Sequence, residues 1–372
     1  MFIKTIKFTK PRRIAVAAIT GAALALALAA VSYANGAEWF PAAGEAGEIT
    51  GEAAEVSPSP GEEKKFIKWV DFTPTYAVMK KTLDLDVKSH SPQWDVRRAR
   101  YNWIELLAYL GAKTGGSFRN YKESELSALT ARLDAGESME SVTAGMKYYE
   151  YYKEAYTAVL GGFVGAYRVQ TDSKDAENDG EKVWEERYGL KVFSPIAKGY
   201  YYNDYDDFGV SRSYGYRRRH LGHDLMGGVG TPITAVESGV VEELGWNQYG
   251  GWRVGIRSFD GKRYYYYAHL RQNRPFHASV VKGGTVAAGD VIGYMGRTGY
   301  STHENVNNIE NTHLHIGLQL IFDESQKEGN NEIWIDLYAI TRLLSHNRSA
   351  VYRDDNKEYH RSYAWEPLNY ED

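Results

Sequence analysis

There is no cysteine in the 372 residues. That excludes disulfides and thiolate metal sites alike, so any metal in this protein has to be held by histidine and carboxylate. Nor is there an excess of charge of one sign: 44 Lys and Arg against 48 Asp and Glu give a net charge of -4. Without a basic field nucleic acid is excluded as an expected partner, and without a strongly acidic one the chain does not repel anionic polymers. Phenylalanine is scarce beside tyrosine, 12 against 30. Tyrosine rings pack on apolar groups and hydrogen-bond at once, although half-buried packing is their commoner use. The hydrophobic fraction of 43% supports a sizeable core, and the length points to about two domains.

Lys4, Lys7, Lys10, Arg12 and Arg13 precede an uncharged, Ala- and Leu-rich run from Ile14 to Ala34, the layout of an export signal. The run is long enough to span a bilayer, and Ser32-Tyr33-Ala34 offers a small-residue cleavage site. Residues 1–36 therefore read as a signal peptide or a membrane anchor through 14–34, and in either case the rest is delivered outside the cytoplasm. Residues 37–64 mix Ala, Gly, Glu and Pro and read as an acidic linker.

The period then becomes helical over 65–170. Trp103, Leu106, Leu107 and Leu110 share a face, as do Leu126, Leu129 and Leu133, and then Tyr149, Tyr152, Tyr156 and Leu160, each set ended by glycine. Residues 190–345 read as a mainly antiparallel sheet domain, with strands expected over Ile233–Val236, Val240–Leu244, Trp252–Arg257, Arg263–Leu270, Val291–Met295 and Thr312–Ile321. One helix is expected over Trp334–Leu344 and a flexible tail over 346–372. The fold class is α+β: an export segment, a small helical domain and a sheet domain.

Candidate chemistry lies on the expected strands. Alternation over Thr312–Ile321 places His313, His315 and Gln319 on one face and Leu314, Ile316, Leu318 and Leu320 on the other. His220 and Asp224 share a face if their segment is extended, and His223 points elsewhere. In Arg263–Leu270, His269 falls on the face of Tyr265 and Tyr267. Two histidines and one aspartate match the three-ligand count of a catalytic zinc with one open position.

In order along the chain, His220-Leu-Gly-His-Asp224, Tyr267-Ala-His269-Leu and His313-Leu-His315 resemble the motifs of the M23 (LytM/lysostaphin-like) zinc endopeptidases. The spacers Gly230–Val240, Tyr249–Ile256, Val286–Gly293 and Gly296–Thr302 match as well, and the resemblance covers roughly 195–322. It implies one Zn2+ per chain held by His220, Asp224 and His315. It also implies His269 and His313 beside the open position, and a groove over an antiparallel sheet that hydrolyses a cross-link or stem peptide of peptidoglycan. An extracytoplasmic site of action, in the cell wall or on the outer face of the cytoplasmic membrane, fits that substrate. The segment His303–Asn311 is inserted relative to the pattern, on the groove wall, and bears on substrate choice.

A lone His-x-His on a strand is ordinarily a solvated pair, but that account leaves His220, Asp224 and His269 unexplained. The rival function is an M23-like wall-binding or regulatory protein without turnover, of envelope or spore assembly; such relatives typically lack ligands, and here all five positions are filled. His90, His277, His303, His346 and His360 default to surface roles, and Arg217-Arg218-Arg219 to a solvated basic turn. The helical region is a scaffold by default, or a cover for the groove.

Overall fold

The computed structural model describes residues 70–173, 181–213, 217–327 and 331–368. The expected export segment and linker lie outside them. Among the described residues no helix is long and apolar enough to cross a membrane.

Among the described residues five helices come first: α1 (Tyr76–Ser89), α2 (Trp103–Thr114), α3 (Glu123–Asp134), α4 (Met139–Thr143) and α5 (Tyr149–Leu160). Their starts follow local chemistry, with Thr75, Asn102 and Ser138 each accepting a backbone N–H of the first turn. Gly115, left-handed at φ 62°, ends α2. The apolar faces of α2 and α5 meet, burying Leu106, Leu107, Leu110, Tyr152 and Tyr156.

Strands β1 (Val164–Asp172) and β2 (Lys182–Leu190) then form an antiparallel pair. After them come β3 (Asn203–Asp204), β4 (Ser211–Ser213), β5 (Arg217–Arg219), β6 (His223–Met226), β7 (Pro232–Thr234), β8 (Gly239–Asn247), β9 (Gly251–Ser258) and β10 (Arg263–Ala268). The series continues with β11 (Thr285–Val286), β12 (Val291–Tyr294), β13 (His313–Leu320) and β14 (Ile333–Ile335). The main sheet runs β11-β8-β9-β10-β13-β6-β3, with β14 paired to β13, and every pair in it is antiparallel. Leu314, Ile316, Leu318 and Leu320 are buried on one face of β13, as its alternation predicts.

Three expectations are corrected. The segment expected as one helix splits: Ile333–Ile335 joins the sheet and only Tyr338–Leu344 is helical (α6). β-branched residues beside a free strand edge favour pairing over helix. The expected tail carries β15 (Val351–Arg353), β16 (Tyr359–Arg361) and β17 (Trp365–Pro367); β17 pairs with β1, and Trp365 is buried there. The helices and the sheet fall within one compact unit. Buried Arg263, at the start of β10, donates to the Ala158 carbonyl of α5 and pairs with Glu237, joining the two layers. His277 is buried rather than on the surface.

Glu242 on β8 pairs with Arg257 (3.0 Å) and Lys327 (2.6 Å). Burial raises its pKa, but the two cations outweigh burial and hold it below the ordinary 4.5. A carboxyl depressed in the fold stabilises it above the unfolded pKa and loses that contribution as pH falls through the folded value. Glu242→Gln is therefore expected to flatten the fall of Tm between roughly pH 5 and pH 3. Parallel melting curves for variant and parent over that window would count against the ion pairs.

Candidate functional site

Strands β6 and β13 place two polar side chains opposite each other. Asp224 is the cross-strand partner of His315, so both project to the same face. His220 precedes β6 and is anchored from both sides: its N–H donates to the Val210 carbonyl at 2.9 Å, and its own carbonyl accepts from Gly209 at 2.8 Å. Gly222 makes the approach feasible, because a Cβ there would stand 2.5 Å from the His315 ring. His220 Nε2 lies 3.1 Å from Asp224 Oδ1 and 2.9 Å from His315 Nδ1, and His315 Nδ1 lies 3.1 Å from the same Oδ1.

This donor set fits a cation. Two ring nitrogens and one carboxylate oxygen converge on one point, and the three ligand atoms lie within 4.8 Å of one another. Backbone and side-chain oxygens of Asp207, 3.1 and 3.2 Å from His220 Nδ1, fix the ring so that Nε2 faces that point. Burial depresses the His220 pKa, but Asp207 and Asp224 outweigh it and raise it to about 9. A bound cation would take the place of that proton. Burial pushes His315 down, with Asp224 opposing. Asp224 is held far below the ordinary carboxyl range: burial opposes ionisation, but hydrogen bonds from His220 and His315 outweigh it.

His269 and His313 stand beside the trio, with ring centroids 4.8 Å apart. His313 Nδ1 is 2.8 Å from the Asn311 carbonyl and His269 Nδ1 is 3.0 Å from the Thr298 carbonyl. Each ring therefore spends Nδ1–H on a carbonyl and presents Nε2 to the cavity, His313 Nε2 lying 3.7 Å from Asp224 Oδ1. Burial, then repulsion from His313 and His315, pushes His269 well below the usual histidine range.

His269 reaches this face by a route that alternation does not foresee. Tyr265 and Tyr267 are buried in the core, their hydroxyls on Glu237 and on the Val236 N–H, whereas Tyr266 and Ala268 line the cavity. Strict parity would put His269 in the core with the first pair. Instead its backbone turns left-handed at φ 62° as β10 ends, which swings the ring into the groove. Its N–H is fixed to the Gly250 carbonyl at 2.7 Å.

The cavity measures about 450 Å³ and its lining runs from Tyr205 to His315. Among the described residues none of the helical layer lines it. His223 is buried away from it and paired with Asp204. Sequence reasoning missed Asp207, which orients His220, and Arg212, whose Nη2 reaches Asp207 Oδ2 at 2.5 Å and Asp224 Oδ2 at 3.0 Å. The acidic cluster Asp204, Asp206 and Asp207 just upstream of the arginine run was the available signal. Ile309, Glu310 and Asn311 of the inserted segment stand on the cavity wall.

Residues 218–328 match the model of peptidase family M23. The L-Ala–D-Glu endopeptidase of Bacillus subtilis is 38% identical over 124 residues, 33% of this chain and 36% of that protein. Lysostaphin of Staphylococcus staphylolyticus is 38% identical over 106 residues, 28% of this chain and 20% of that protein. The chain thus spans about a third of the first relative's length and a fifth of the second's. Among solved structures, a LytM-type protein of Ruminococcus gnavus is similar at 25% identity and a TM-score of 0.45, over 75% of this chain and 91% of that one.

Proposed function

The chain carries a domain of peptidase family M23 over residues 218–328, and from that premise we propose that the protein is a zinc-dependent endopeptidase acting on the peptides of bacterial peptidoglycan. The observation that carries this reading is the convergence of His220, Asp224 and His315 with His269 and His313 in one open groove. The family relatives named for cleaving wall-type peptide bonds, L-Ala–D-Glu and glycyl-glycine, support the substrate class. The basic, apolar N-terminus supports delivery outside the cytoplasm, secreted or anchored.

His220 Nε2, Asp224 Oδ1 and His315 Nδ1 would hold one zinc ion. When bound, zinc lowers the pKa of a water towards neutrality and polarises a carbonyl. The remaining chemistry belongs to the side chains. His269 and His313, each with Nδ1–H fixed on a carbonyl, present Nε2 lone pairs that accept a proton from the attacking water. Once protonated, the same atoms donate to the oxyanion or to the leaving amine. Tyr249, Tyr266 and Tyr300 wall the groove and suit an extended peptide.

Incubating the zinc-loaded protein with purified sacculi, beside a His313→Ala control, tests the reading by mass spectrometry of released fragments. New peptide termini that vanish in the control are expected. Intact sacculi with one bound zinc per chain would favour a binding or regulatory protein instead.

Asp207 is expected to matter through His220. Asp207→Ala removes the side-chain contact but keeps the backbone carbonyl, so zinc affinity should fall by about tenfold, the lower end for such orienting partners. Competition against a chromogenic chelator measures it, and unchanged affinity would mean that the carbonyl alone holds the ring.

A further inference from the structure

Arg212 and Arg218 face each other across the β4–β5 ladder, and directly opposed residues of an antiparallel pair project to the same face. That face is the groove, since both arginines line the cavity. Arg217 and Arg219, on the alternate face, are exposed and do not line this cavity, although Arg219 borders a neighbouring one. The basic run is thus not a uniformly solvated turn: its middle residue is directed at the site.

The two groove arginines are not equivalent. Arg212 is compensated by Asp207 and Asp224. Arg218 has no carboxylate partner among the described residues. Its Nη2 donates to the Tyr300 hydroxyl, its guanidinium lies 5.4 Å over the Tyr300 ring, and its buried Nε–H has no acceptor among the described residues. A guanidinium held on an aromatic face with an unspent donor edge is a fork shaped for a carboxylate. Its position suits a substrate contact. Arg218 also borders a second cavity of about 520 Å³ that shares His220, Tyr266 and His315 with the first. It therefore stands where a peptide would pass the three converging ligands. Of the other acids on the lining, Asp207 and Asp224 are engaged by Arg212 and the histidines, which leaves Glu310 on the inserted segment.

We propose that Arg218 is a specificity-determining residue that takes a carboxylate of the substrate, so that the groove selects acidic peptides over uncharged ones such as glycine bridges. The inference rests on the hydrolase reading above. It requires no new chemistry, only an ion pair with two acceptor oxygens, of which an amide keeps one and loses the charge.

The test uses two synthetic wall stem peptides that differ at one group: a free α-carboxylate on the D-Glu residue in one, the amide in the other. For the zinc-loaded protein, kcat/KM should favour the acid by about 10- to 100-fold, the range of a hydrogen bond to a charged partner. Arg218→Gln should abolish that preference by raising KM for the acidic peptide while leaving the amide unchanged. Arg218→Lys should recover part of it, and Arg217→Gln should change nothing. Equal rates on the two peptides in the parent protein, or a preference that survives Arg218→Gln, would overturn the proposal. The same labelled peptides are titrated by fluorescence anisotropy into the parent and the Arg218→Gln variant, each also carrying His313→Ala. If neither peptide is cut, selective binding of the acid that is lost with Arg218→Gln upholds this inference while the hydrolase reading falls. Equal or absent binding overturns it.

Discussion

Asp224→Ala is expected to empty the site of metal and to lower turnover by at least about 1,000-fold, roughly 4 kcal/mol of barrier. Asp224 Oδ1 is the shared neighbour of His220 Nε2 and His315 Nδ1, 3.1 Å from each. Its removal leaves two imidazoles 2.9 Å apart and no anionic ligand. The same substitution strips Arg212 of one of its two acceptors, leaving it paired with Asp207 alone, so a less compensated cation then faces the place where zinc would sit, which further disfavours binding. Metal analysis of the purified variant should give a zinc content near zero. His313→Ala should behave differently, keeping its zinc while losing about 100- to 10,000-fold in turnover, the usual reach of a group that moves protons. Its ring lies beside the trio, 3.7 Å from Asp224 Oδ1, and hydrogen-bonds Asn311 rather than any of the three. The contrast between the two variants separates holding the ion from handling the proton. An Asp224→Ala protein with a full zinc complement and normal turnover would sink the ligand assignment.

Local patterns made part of this site legible. The alternation of β13 alone tells which way His313 and His315 point, because the apolar residues that follow each of them, Leu314 and Ile316, have to be buried. Asp224 could be read as far as its residue type and spacing; its pairing with His315 is a register, which depends on strands far apart in sequence. His269 marks where alternation stops working. A single left-handed residue moves its ring from the core face to the groove, and no period-two rule anticipates a change of backbone region at a strand end. The hairpin of Arg212 and Arg218 was illegible for a related reason. A three-arginine run shows no apolar face, so its alternation becomes visible only once the run is paired and one side of the ladder is seen to meet the cavity.

The helices were legible one by one, from repeats such as Leu126, Leu129 and Leu133, but their attachment was not. A change of period from helical to alternating suggests a domain boundary. The connection combines one apolar core running through both layers with polar residues that a hydrophobicity pattern ignores: Arg263, Glu237 and the carbonyl of Ala158. The chain end was misread likewise. Its strands are three residues each, too short for a periodic signal, and they are held by partners such as β1 far upstream.

That polar connection carries the largest expected effect on stability. Arg263 Nε and Nη2 donate to the two oxygens of Glu237 at 2.8 and 2.9 Å, Nη1 donates to the Ala158 carbonyl at 2.9 Å, and Nη2 also reaches Asp260 at 2.8 Å. The Tyr265 hydroxyl donates to Glu237 at 2.7 Å. Gly162, just past α5, has no side chain to push the carboxylate away, which lets the helical layer seat against the sheet. Glu237→Ala would leave a buried guanidinium and a buried phenol without their shared acceptor, at an expected cost of about 3–5 kcal/mol. Replacing both partners by apolar groups, Arg263→Met with Glu237→Leu, should cost much less than the single change, because the one charge then left without its partner, Asp260, is solvent-exposed rather than buried. Denaturant midpoints at constant m-value measure both. Hydrogen exchange should locate the damage at the end of α5, where the amides of Thr157 to Leu160 would lose protection before those of β13. A loss below about 1 kcal/mol in the single variant would place Glu237 in contact with water rather than at the junction of the two layers.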